Sequence, residues 1–152
     1  MQSKWFELST LVSAQLVSVA EQKNAAWMDN PPWPLPLQGL QPTQPDLLFM
    51  MNRGDRWLSA ASLRDKRVMR FVVGATSVRE KALALAAADG LHFAARDALR
   101  SASFMGSFLT AGALNLNEVE IEPDLQAAMA AGLVLLSAFE VQYYQTYPNA
   151  AR

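Results

Sequence analysis

The chain has 152 residues, 51% apolar and 18% charged, with a formal net charge of −1 and no cysteine. That length buries a core as a single domain, spanning 1–152, without disulfide or metal staples, and the missing cysteines exclude a disulfide scaffold, a thiol nucleophile and a Cys-based zinc site. A near-neutral charge gives no general pull toward nucleic acid or membranes, no apolar run reaches membrane-spanning length, and MQSKWFELST lacks the apolar core of a secretory signal, so residence in a cytoplasm is expected.

Ser3–Gln22 carries Leu8, Leu11, Val12, Leu16 and Val19 at three- and four-residue spacing, which predicts a helix capped by Ser3. Trp5 and Phe6 fall in its first turn, as core packing or as a subunit contact. Trp27–Pro45 holds six of the eight prolines and is expected to be irregular, because proline removes the amide donor and biases its predecessor to extended geometry. It also holds Trp33, Leu35, Leu37 and Leu40, so it reads as a stiff arm laid over an apolar surface of its own chain or a neighbour's. Without flanking bases it is a poor SH3 ligand.

Asp46–Asn52 reads as the first strand, Arg53-Gly54-Asp55 as a turn, Trp57–Ala60 as a short strand and Leu63–Lys66 as a charged turn. The Arg-Gly-Asp tripeptide also spells an integrin ligand, a reading with no secretory context behind it. Arg67–Ala75 alternates as a strand, so an antiparallel meander is expected through 47–75. Ser77-Val78-Arg79-Glu80 matches a capping box, opening a helix to about Ala102. Ala84, Ala87, Ala88, Leu91, Ala94, Ala95 and Ala98 form its sheet-facing stripe, with Arg79, Asp89, Arg96, Asp97 and Arg100 opposite. His92, the single histidine, lies at the stripe's margin as a packing residue.

Phe104–Asn117 reads as an apolar connection whose Phe104, Phe108 and Leu109 are accessible for contact. Glu118–Glu122 alternates as a strand, Val119 and Ile121 inward and Glu118, Glu120 and Glu122 outward. Three parallel carboxylates repel unless solvated, neutralised or bridged by a hard cation. Gly132–Pro148 predicts the longest strand, with Phe139, Val141 and Tyr143 on one side and Glu140, Gln142 and Tyr144 on the other. Fifteen residues at about 3.3 Å each span roughly 50 Å, more than a small domain covers. Either that strand is broken or another chain covers its far end.

Ten of the 13 basic residues lie between Arg53 and Arg100, whereas Ser101–Ala151 carries five acids and no base. Such a chain can pair head to tail with its own copy, or the two regions can be solvated or pair internally. No nucleotide-binding glycine loop, HExxH or GxSxG motif occurs, which points away from an enzyme and from any cofactor. The fold class is α+β: a mixed, mainly antiparallel sheet of four to five strands with an N-terminal helix and one long central helix packed on it.

The strand PDLLFMM, the block RVMRFVVGATSVREKALALAAADGLHFAARDAL, and NLNEVEIEPD followed by GLVLLSAFEVQYYQTYP, behind an N-terminal helix, resemble the lambda-type tail terminator proteins of long-tailed bacteriophages. The resemblance implies a structural virion protein: a homohexameric ring at the head-proximal end of the tail tube that stops tube polymerisation. Its partners would be copies of itself, the tail tube protein and the head–tail connector or neck protein. DNA would pass only as cargo through the lumen, and no membrane would be involved. The protein would reside at the tail–neck junction of the virion, and in the host cytoplasm during assembly. The expected subunit interface sets Glu118, Glu120 and Glu122 against Arg64, Lys66, Arg67 and Arg70, with Trp33, Phe104 and Phe108 as apolar contacts. Alternatives are another neck or minor tail subunit, or a small metal- or ligand-binding domain using the three glutamates.

Overall fold

The computed structural model describes residues 2–60, 63–121 and 133–149. In chain order they form α1 (Lys4–Gln22), β1 (Ala26–Asp29), a short 3-10 turn (Leu37–Gly39), β2 (Asp46–Ala60), β3 (Arg64–Ser77), α2 (Lys81–Leu99), α3 (Ala102–Thr110), β4 (Asn117–Val119) and β5 (Val134–Thr146). The sheet runs β1-β2-β3-β5-β4. β1 lies parallel to β2 and the other pairs are antiparallel. The α+β expectation, with an N-terminal and a long central helix on a mixed sheet, is met.

Alternation along the strands divides the core in two. Leu48, Met50, Met69, Phe71, Val73, Phe139, Val141 and Tyr143 meet Leu8, Val12 and Leu16 of α1, Leu91, Ala95 and Leu99 of α2, and Phe104 and Phe108 of α3. Leu47, Phe49, Met51, Val72 and Ala138 face the other way and are covered by Leu35, Leu37 and Leu40. The proline-rich arm thus lies on its own sheet. It also opens with β1, a regular strand that the sequence reading missed: four residues are too few to show a period.

β5 runs unbroken, and Arg64–Thr76 of β3 pairs with it along its whole length. The strand is therefore not broken, and the same chain supplies a second strand of equal reach to pair with it. Its two predicted faces are correct: Phe139, Val141 and Tyr143 are buried.

Four local expectations are corrected. Arg53-Gly54-Asp55 is not a turn: β2 continues through it, with Gly54 at φ 111° and register shifts between Asn52 and Asp55 and between Trp57 and Ser59. Glycine adopts that angle without steric cost, so the unusual backbone becomes a bulge. β3 likewise starts at Arg64, inside the predicted charged turn. Ser77 caps no helix; it ends β3, donates to the Asp46 carboxylate (2.7 Å) and accepts from the Arg79 amide (3.2 Å), while α2 begins at Lys81. Arg79 grips the same carboxylate through Nε at 2.9 Å and Nη2 at 3.0 Å, and this, first among its contacts, holds the Asp46 pKa below its usual value. Finally, part of the predicted connection 104–117 is helix α3, whose first turn Ser101 caps by accepting from the Phe104 amide.

Candidate assembly surfaces

Glu118 is neutralised within its own chain. β4 sets Glu118 beside α2, where Arg96 binds it with two hydrogen bonds of 3.0 and 3.2 Å and Arg100 approaches to 3.8 Å. Burial pulls the Glu118 pKa upward, but the hydrogen bonds and charges of Arg96 and Arg100 outweigh it and leave the group below its usual value. Arg96 and Arg100, expected on the outer face of α2, turn back because the long arginine side chain reaches across to β4. β4 ends at Val119, shorter than predicted; Val119 and Ile121 face the core as expected. The Glu120 carbonyl accepts from Arg70. Glu122 lies outside the described residues.

The four predicted basic residues divide between the two faces of the β2–β3 hairpin. Arg67 is committed on the helix side, bonding Asp55 at 2.9 Å and approaching Asp65 at 3.5 Å. Tyr143 donates to the other Asp55 oxygen and Tyr147 donates to Asp65 at 2.9 Å. Burial, then the Asp55 contact, raises the Tyr143 hydroxyl pKa, so it stays a donor at neutral pH. This network ties the projecting hairpin to β5.

Arg64, Lys66 and Arg70 lie on the opposite face. There the register sets Lys66 against Tyr144 and Arg70 against Glu140, and Arg64 stacks over the Tyr144 ring at 4.2 Å. Arg56 joins them from β2 opposite Val68, 70% exposed and 3.9 Å from Glu140. Arg53, Arg56, Val68, Arg70 and Glu140 line a hollow of about 420 Å³. Below Met51, no helix among the described residues covers this face.

Of the apolar candidates, Trp33 is exposed. Phe104 and Phe108 are not accessible: they stack at 5.0 Å and are buried beneath α1 and α2, because α3 turns one face into the core. Leu109 alone of that group remains exposed. The surface that sequence reasoning missed is the outside of α2, where Leu83, Leu85 and Phe93 are 57%, 55% and 64% exposed. Their spacing was visible, but the alanine stripe drew attention to the inner face.

His92 is buried, its Nε2 lying 2.9 Å from the Ser137 hydroxyl. Burial, then Arg96, lowers the His92 pKa. Among the described residues no three His, Cys, Asp or Glu side chains gather as metal ligands.

No protein-family model matches the sequence, and no curated protein matches it. Among solved structures, the chain is similar to the PVC sheath/tube terminator of an extracellular contractile injection system, in the extended state, with a TM-score of 0.59 and 12% identity. What the two share is the fold. The likeness covers 96% of this chain and 58% of the terminator, so this chain spans little more than half the terminator's length.

Proposed function

We propose that this protein is a tail terminator: a structural subunit, without an active site, that assembles on the end of a tail tube and stops its growth. The observation that carries the reading is the fold shared with a sheath/tube terminator over 96% of the chain. The sequence resemblance to lambda-type terminators points the same way and adds the hexameric ring, the tube protein below it and the connector above it. Two features suit such a role. The hairpin β2–β3 projects beyond the helices with Trp57, Leu58 and Leu63 exposed, which is surface that a lone molecule does not need. The basic and apolar patches lie on different parts of the molecule, as a heterologous, ring-closing contact requires.

In this reading the ring caps the tube because its far side no longer offers the docking surface of a tube subunit. DNA passes through the lumen without a dedicated site. The test is tube assembly in vitro. Added to polymerising tube subunits from the same source, the protein should shorten the tubes in proportion to its concentration, and negative-stain images should show rings at one end only. Unchanged tube length and bare tube ends would refute it.

A further inference from the structure

Helix α2 carries apolar residues on its outer side as well as its inner. Its inner side, Ala84, Ala88, Leu91 and Ala95, meets the sheet. Its outer side should be polar if it faced water, yet it presents Leu83 and Phe93 with Ala82, Ala86 and Gly90 between them. The space above Gly90 is open, with nothing within 4 Å of where its Cβ would be. The charges on this side are Asp89 and Asp97, both exposed and neither in an ion pair among the described residues. A helix of this composition is half of an unfinished layer.

The sheet carries the counterpart. Among the described residues its lower half is clothed with helices on one side only; the other side shows Arg56, Arg64 and Lys66. Apolar plus acidic on the helix matches basic plus aliphatic on the sheet, with the arginine and lysine stems supplying apolar contact and their heads meeting carboxylates. The two surfaces look in opposite directions, because α2 packs on the Phe71–Phe139 side while Lys66 and Arg56 lie on the other. One molecule cannot bring them together. A second copy can, and the contact then joins unlike patches, the kind that closes rings.

We propose that the outer face of α2 docks on the basic half of the sheet in a neighbouring copy of this chain, Leu83 and Phe93 seating against the aliphatic stems of Arg56, Arg64 and Lys66 while Asp89 and Asp97 meet their charged heads. This rests on the ring reading given above and names the surfaces that close the ring. It replaces the acidic strand as the partner of the basic face, since Glu118 is already held by Arg96.

The experiment uses two variants of the full chain, Phe93→Glu and the pair Arg56→Glu with Lys66→Glu, measured by size-exclusion chromatography with light scattering. Each variant alone should fall to single-subunit mass while keeping its melting transition. Asp89→Arg with Asp97→Arg serves as a second helix-face variant should Phe93→Glu fail to fold. Mixed in equal amounts, a helix-face and a sheet-face variant retain one intact contact between them, so the mixture should stop at dimers. Wild-type mass in the Phe93→Glu and Asp89→Arg/Asp97→Arg proteins, or a mixture that stays monomeric, overturns the assignment while leaving the terminator reading standing. A wild-type protein that neither forms rings nor shortens tubes overturns both. Loss of binding to duplex DNA by the Arg56→Glu/Lys66→Glu protein at unchanged particle mass would assign the basic face to nucleic acid instead.

Discussion

Gly74 is where β3 allows an aromatic ring to lie flat across it. Its residue partner on β2 is Phe49, fully buried beneath the proline-rich arm. A Cβ at position 74 would stand 2.1 Å from Phe49 Cζ and 2.6 Å from both Cε atoms, where ordinary contact begins at 3.4 Å. In Gly74→Ala the ring must therefore retreat by 3.4 − 2.1 = 1.3 Å into Leu35, Met51 and Val72. Overpacking on that scale costs about 1–3 kcal/mol, against a gain of about 0.5–1 kcal/mol from replacing glycine in a strand. The net expected loss for so close an overlap is about 2 kcal/mol. Phe49→Leu removes the ring tip at a cost of its own, and in that background Gly74→Ala should cost less than about 0.5 kcal/mol. Urea unfolding of the four proteins, with slopes checked for constancy, measures the cycle. A neutral Gly74→Ala, or additive effects in the double variant, would show that the ring does not rest on this glycine.

Three further outcomes follow from particular contacts. Tyr143→Phe should lower stability by about 1–2 kcal/mol, since it strips a part-buried hydrogen bond from the Asp55 carboxylate at a tyrosine that is itself fully buried, whereas Tyr147→Phe, at an exposed hydroxyl, should change the urea midpoint little; equal effects would refute the distinction. His92 has a folded pKa below its unfolded value near 6.5, so the unfolded chain takes up the proton first and stability should decline as pH falls below about 6.5, levelling off once the folded pKa is passed. The groups facing it are Arg96, Glu118, Asp89 and Ser137, and as it is the single histidine, His92→Gln should flatten that limb of the stability–pH curve, while an unchanged limb would count against it. Phe108→Ala should cost about 3–5 kcal/mol in urea unfolding, as for a large core side chain, and an intact fold with altered oligomeric mass would restore the contact role first expected of it.

Period was the most legible signal. Alternation assigned both faces of β5 and found β3 as a strand, and three- and four-residue spacing found α1 with its Ser3 cap. What sequence reading missed was decided by partners distant in the chain. The capping-box pattern at Ser77 gave way to Asp46, a residue 31 positions earlier. Gly54 and Gly106 looked like breaks, but one sits in a bulge and the other on the open side of α3, where a missing side chain costs little. Of the residues set in the expected interface, Arg64, Lys66 and Arg70 share a face, but Arg67 alternates to the other side, and the arginines that bind Glu118 come from α2.

The pairing of β3 with β5 also bears on how the chain is made. β2 and β3 are neighbours in sequence and can zip as they emerge from the ribosome, but Arg64–Thr76 must wait for Val134–Thr146 before its second edge is covered. During that interval a long strand stands open to other nascent chains, the usual beginning of aggregation. Arg64, Lys66, Arg67 and Arg70 crowd the lower part of that edge, and charges so placed repel a second copy arriving too early. Arg64 and Lys66 would then guard the subunit during synthesis and recruit its neighbours afterwards.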